Sequence, residues 1–275
     1  GCTRTGTPSP RADRRTLIRR VTFDLIGLPP TPEEVDAFLA DARPDAFDRV
    51  VERLLDSPRY GERWGRHWLD LARYADTAGE NTDHPVADAW RYRNWVIGAF
   101  NRDMPYDEFV RQQVAGDILA GEGPEGEYGD RLAATGFLAV ARRFDHDIEK
   151  HMHLTYEDAI DTMGKAFLGL SIGCARCHDH KYDPISARDY YALYGILQSS
   201  RFPFPGCEPT PLPRDLSPLL SPQARSRRDE RLPEERAALE AEAARIEEAR
   251  RTLAARAGPG AVRLLANGEV PDGGG

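Results

Sequence analysis

Apolar residues return every three or four positions from about residue 14 to residue 200, the spacing that lines one face of a helix. Arg14 to Leu25 reads as the first helix, and Gly27-Leu28-Pro29-Pro30 stops it. Thr31-Pro32-Glu33-Glu34 is a helix start: Thr31 caps, Pro32 suits the first helical position, and Glu34 completes a capping box. Val35, Phe38 and Leu39 supply the buried face of that helix, and Phe47, Val50, Val51, Leu54 and Leu55 that of the next, opening near Asp45. Ser57-Pro58 restarts the chain into a longer helix expected to reach Ala75. Trp64, Trp68, Leu71 and Ala75 are its apolar stripe, and Arg66 and Asp70 are spaced to pair along it.

Further on, residues 77–87 read as a loop. Trp90 to Phe100 and Asp107 to Leu119 read as helices, separated by the turn at Asp103-Met104-Pro105. Residues 121–129 hold four glycines and a proline, which predicts a mobile loop. Leu132 to Val140 is a short apolar helix. Thr155 to Leu170 is a longer one, with Ala159, Ile160, Met163, Phe167 and Leu170 inward. After a turn at Asp183-Pro184-Ile185, Ala187 to Leu197 forms a helix rich in tyrosine.

This divides the chain into a flexible lead-in (1–13), a helical domain (14–200), a Pro-rich linker (201–232), a charged helix (233–257) and a disordered end (258–275). Leu239, Ile246 and Leu253 recur every seven residues in the charged helix, but the other seam positions are mostly Ala or charged. That pattern suits a solvated helix packed by one edge, with a helical partner as the alternative. No internal repeat and few strands are visible. The expected fold is mainly α, an irregular multi-helix domain with long loops and a C-terminal charged helix.

Charge narrows the function classes. The net charge is −8 and no basic stripe carries interleaved aromatics, so nucleic acid is not an expected partner. No run of about 20 apolar residues predicts a transmembrane segment. The sequence opens on Gly1 with no signal-peptide pattern, which reads as a fragment of a longer chain; Gly1-Cys2 is alternatively a lipoprotein cleavage remnant.

The chemistry concentrates at Cys174-Ala175-Arg176-Cys177-His178. With 4 Cys and 7 His among 275 residues, chance predicts roughly 0.0015 occurrences of such a pattern, so it is no accident. Cys-x-x-Cys-His is the attachment pattern for a c-type haem. Each thiol adds across one vinyl group, and the adjacent imidazole becomes an axial ligand of the iron. His151, His153, His67 and Met163 are the candidates for the opposite axial position.

Two other readings stand beside haem. Zinc takes Cys and His in tetrahedral sites, so Cys174, Cys177 and His180 form an alternative set, with His178, Cys207 or a distant histidine as fourth ligand. A disulfide or redox pair is the third. Cys2 and Cys207 stand alone in irregular segments and suit pairing with each other. His67 and Asp70, one turn apart, are candidates for a pocket wall in which Asp70 orients His67 as ligand or base.

Several stretches together carry a family resemblance. They are Phe23-Asp24-Leu25-Ile26-Gly27-Leu28-Pro29-Pro30-Thr31, Ser57-Pro58-Arg59-Tyr60-Gly61-Glu62-Arg63-Trp64, and His67-Trp68-Leu69-Asp70-Leu71-Ala72-Arg73-Tyr74-Ala75-Asp76. Gly164-Lys165-Ala166-Phe167-Leu168-Gly169-Leu170 then leads into the cysteine motif, followed by Asp179-His180-Lys181 and Asp183-Pro184-Ile185. Over residues 13–200 the chain resembles the domain of unknown function found in large secreted proteins of planctomycetes. There it follows a planctomycete-type cytochrome c domain and precedes a second uncharacterised domain. The resemblance implies a periplasmic or secreted protein with those two domains as neighbours. It also implies a role in electron transfer, with a redox partner, or in polysaccharide breakdown as a metal- or substrate-binding accessory domain. A purely structural module stapled by the Cys/His cluster is the remaining expectation.

Overall fold

The computed structural model describes residues 10–77, 85–142, 144, 148–202 and 216–267. Among them the regular structure is helical, apart from a single antiparallel bridge between Thr77 and Pro85. Two units are distinguished, one ending at Leu219 and one beginning at Leu220.

Three helices open the first unit: α1 (Arg14–Ile26), α2 (Pro32–Ala40) and α3 (Ala46–Leu55). Asp13 caps α1 by accepting from the Thr16 amide, and Gly27 closes it in the left-handed conformation at φ 74°. The capping box predicted at Thr31 and Glu34 is present in both directions. Ile18, Phe38, Ala46, Val50 and Leu54 close over one another as the first apolar cluster.

Helix α4 (Pro58–Leu71) packs chiefly on α5 (Ala89–Asn101), and α6 (Tyr106–Glu122) on α7 (Tyr128–Ala134) and the one-turn α8 (Gly136–Ala139). These crossings are close because glycines face them. A Cβ on Gly61 would lie 2.3 Å from the Ile97 carbonyl oxygen, and one on Gly116 would lie 2.0 Å from that of Arg131. Trp68, Tyr92, Trp95, Val96, Phe109 and Phe137 form the second cluster.

Helix α4 ends four residues before the expected Ala75, because Arg73 adopts the left-handed conformation at φ 59°. The expected stripe is also narrower. Trp68 and Ala72 are buried, whereas Trp64, Leu71 and Ala75 are exposed. No ion pair joins Arg66 to Asp70 among the described residues. The glycine-rich segment 121–129 is largely helical: α6 runs through Glu122, a 3-10 turn spans Glu125–Glu127, and α7 begins at Tyr128. Arg131 fixes this turn by donating to the Leu119 carbonyl at 2.7 Å and to the Glu127 carboxylate at 2.7 Å.

Helix α9 (Ile148–Met163) begins earlier than expected and passes at Gly164–Leu168 into a single π-turn. Gly169, at φ 67°, terminates it. A 3-10 turn at Ile172–Arg176 and then α10 (Ala187–Gln198) complete the unit. Tyr156, Ala159, Ile160, Ile172, Ala175, Tyr190 and Leu197 make the third cluster.

The second unit is one long helix, α11 (Pro222–Asn267). It starts well before residue 233, because Ser221-Pro222 repeats the start signal of Ser57-Pro58: the Ser221 hydroxyl accepts from the Ala224 amide at 3.0 Å. Leu232 joins Leu239, Ile246 and Leu253 as a fourth exposed apolar residue at the same interval. Ion pairs such as Arg231–Glu235 and Arg236–Glu240 support the helix along its length.

Candidate functional site at Cys174, Cys177 and His178

The cysteine motif is built on the 3-10 turn Ile172–Arg176. Two of its residues are anchors: Ile172 and Ala175 are buried in the third cluster. Cys174 and Cys177 face the other way and are free, exposed thiols. The turn is clamped from both neighbouring helices. The Arg176 guanidinium pairs with Glu157 on α9, and the Arg176 carbonyl accepts from the Tyr191 hydroxyl of α10 at 3.1 Å. Tyr190 is buried beside it; burial first, and then the Glu157 carboxylate, pushes its phenol up to about 12, so it stays neutral.

His178 follows the turn and is exposed. Its Nδ1 lies 2.7 Å from the carbonyl oxygen of Asp179. A carbonyl can only accept, so Nδ1 carries the proton and the lone pair of the neutral ring sits on Nε2. A histidine that binds iron or zinc through Nε2 needs this tautomer.

His180 is arranged the other way round. Its side chain is only 8% exposed, and its Nδ1 accepts from the amides of Asp183 at 2.9 Å and Tyr182 at 3.3 Å. The Asp183 carboxylate also lies 3.2 Å from that nitrogen. Two N–H donors aimed at Nδ1 require a lone pair there, so the proton is on Nε2 and the carboxylate contact is not an ion pair. In this state His180 organises its own loop and offers no lone pair at Nε2.

The remaining candidates lie elsewhere. His67 is exposed on α4 and packs edge-on against Trp64, ring centroids 5.4 Å apart; Asp70 is exposed one turn on. His151 and His153 lie near the start of α9, 6.2 Å apart between ring centroids. Met163 packs against the Trp68 cluster rather than the cluster beneath the cysteines. Cys2 and Cys207 lie outside the described residues. Among the described residues no three His, Cys, Asp or Glu side chains are grouped to hold a metal ion. The zinc set Cys174, Cys177 and His180 is therefore not preassembled.

Sequence reasoning places His67, Asp70, Arg73 and Asp76 in one polar cluster but missed the partner on α9 that makes a junction of its end. The Asp158 carboxylate receives the Arg73 guanidinium and, at 2.9 Å, the Arg142 amide. Next to it the Tyr74 hydroxyl donates to Asp76 at 2.5 Å, and burial followed by that carboxylate holds the phenol far above its usual range. The recognisable signal is an arginine in a left-handed conformation, which no sequence pattern announces.

Fold and motif together define a mainly helical domain that presents two free thiols and an oriented imidazole at the end of one turn. No helix among the described residues is long and apolar enough to cross a membrane. The chain belongs to the family PSCyt2, a protein of unknown function (DUF1549), whose profile matches residues 3–202. No curated protein and no solved structure matches it.

Proposed function

We propose that this chain is an exported, c-type cytochrome-like domain that serves electron transfer within a larger secreted protein. Cys174 and Cys177 would hold the haem as thioethers, and His178 would ligate its iron through Nε2. One observation carries the reading: two free, exposed thiols stand beside an exposed histidine whose Nδ1 is engaged by a carbonyl, which leaves the lone pair on Nε2.

The residues fit the group chemically. Each S–H adds across a vinyl C=C, so that sulfur bonds one carbon, hydrogen goes to the other, and nothing is left over. When bound, the haem supplies a one-electron couple whose potential the axial ligand tunes. The chain's own contribution is positional. Ile172 and Ala175 anchor the turn, Arg176 ties it to α9, and Tyr191 ties it to α10. Cys174, Cys177 and His178 are exposed, which would leave a group held there open to a redox partner.

The test is export of the full chain into a periplasm with haem-maturation machinery. The reading predicts sharp reduced α and Soret bands that survive acid–acetone extraction. It predicts loss of attachment in Cys174→Ala and retention in His180→Asn. Absence of bands together with stoichiometric zinc, weakened by both changes, overturns it.

A further inference from the structure

The peptide that joins Asp179 to His180 is held at both ends. Its N–H, on His180, donates to the Ile185 carbonyl at 2.8 Å. Its C=O, on Asp179, is the oxygen that receives Nδ1 of His178. An amide whose N–H is already engaged is the better acceptor at its oxygen, so the two bonds reinforce each other. The plane of this one peptide therefore decides which nitrogen of His178 carries the proton.

Two side chains keep the plane in place. The Asp179 carboxylate accepts from the Ala187 amide at 2.8 Å. That amide is an orphan donor at the start of α10, where negative charge is also favoured by the helix dipole. Ser186 and Asp189 satisfy their own box at the same terminus, so the position that Asp179 fills is not duplicated by them. On the other side, the His180 ring gathers the Tyr182 and Asp183 amides and closes the loop that carries Ile185 back to its own N–H.

We propose that Asp179 and His180 are positioning residues: through the peptide between them they hold His178 in the Nδ1–H form with Nε2 free for a ligand. The ligand in question rests on the haem reading above, but the tautomer does not. The proposal also makes the second histidine of Cys-His-Asp-His a structural acceptor rather than a competing metal ligand.

The experiment is long-range proton–nitrogen correlation on the nitrogen-15-labelled haem-free protein, at a pH above the titration of free imidazole. His178 is expected as the Nδ1–H tautomer and His180 as Nε2–H. Asp179→Ala and His180→Ala move His178 toward the Nε2–H form. Asp179→Asn keeps the acceptor oxygen and His180→Asn puts an amide oxygen near the place of the ring nitrogen, so both leave it unchanged. A wild-type His178 in the Nε2–H form overturns the proposal, as does an unmoved tautomer in folded alanine variants. Should the alanine variants fail to fold, the wild-type and asparagine spectra still decide. Covalent haem is measured separately on the matured protein. Nδ1–H without attached haem sinks only the haem reading, and attached haem with Nε2–H sinks only the positioning role.

Discussion

The indole N–H of Trp68 lies 3.0 Å from the side-chain carbonyl of Gln113, linking α4 to α6 through the middle of an apolar cluster. The Tyr92 hydroxyl donates to the same oxygen at 2.7 Å, and Gln113 returns its own N–H to the Phe109 carbonyl at 3.0 Å. Burial holds the Tyr92 phenol far above its usual range, so it remains a neutral donor. Gln113, fully buried, thus serves two aromatic donors from two other helices.

Replacing Gln113 by Leu leaves the Tyr92 hydroxyl without its acceptor. The expected cost is about 1–3 kcal/mol of unfolding free energy, read from urea denaturation. Combined with Tyr92→Phe, the double variant departs from additivity by about 0.5 kcal/mol or more. Strict additivity would show that the three groups do not act together.

Gly116 and Gly121 share a helix and separate two effects. A Cβ at Gly116 meets the Arg131 carbonyl, whereas one at Gly121 meets nothing within 4 Å. Gly116→Ala is expected to destabilise by about 1–3 kcal/mol. Gly121→Ala is expected to stabilise by about 0.4–1 kcal/mol, because it restricts the unfolded chain. Thermal melts of the two variants should therefore move in opposite directions.

The Glu34 carboxylate is held below its usual range, first by the Thr31 amide and then by Arg53. A depressed folded value means stability that is present above the unfolded value and lost as pH falls through the folded one. Glu34→Gln is expected to cost about 0.5–1 kcal/mol near neutral pH. The gap between the two proteins should close on acidification below about pH 4.5. Melting temperatures from pH 7 to pH 3 check this; a gap that widens in acid would refute the sign.

Tyr191→Phe removes the hydroxyl that secures the Arg176 carbonyl. Because Tyr191 is exposed, the global melting temperature should change little. Amide hydrogen exchange over residues 172–178 should rise instead, corresponding to about 0.5–1.5 kcal/mol of local opening. An unchanged exchange rate there would mean that the buried Ile172 and Ala175 hold the turn unaided.

Local signals were readable wherever a single stretch of chain contains its own reason. Thr31 and Glu34 close their box with each other, and Ser57-Pro58 opens its helix from within. Gly27 ends α1 through its own backbone conformation. The cysteine motif was legible for the same reason, since its chemistry depends on five consecutive residues. Spacing placed Trp64, Trp68, Leu71 and Ala75 on one face of a helix that stops at Leu71, and it could not say that only Trp68 of these would be covered. Composition made 121–129 a loop, whereas the reach of Arg131 to Leu119 and Glu127 folds most of it.

By itself, then, the sequence determined a mainly helical chain, most of its start and stop points, and a paired-cysteine site followed by histidine. Those properties follow from interactions within a few residues. Only the tertiary structure decided which histidine nitrogen is free, because that depends on a peptide pinned by Ile185 and on a carboxylate that reaches the start of α10. It also decided that the cysteines face outward while Ala175 faces in, because the third cluster is assembled from α9, α10 and the turn together. Contacts between distant segments carry no periodicity of their own, so no local pattern could announce them.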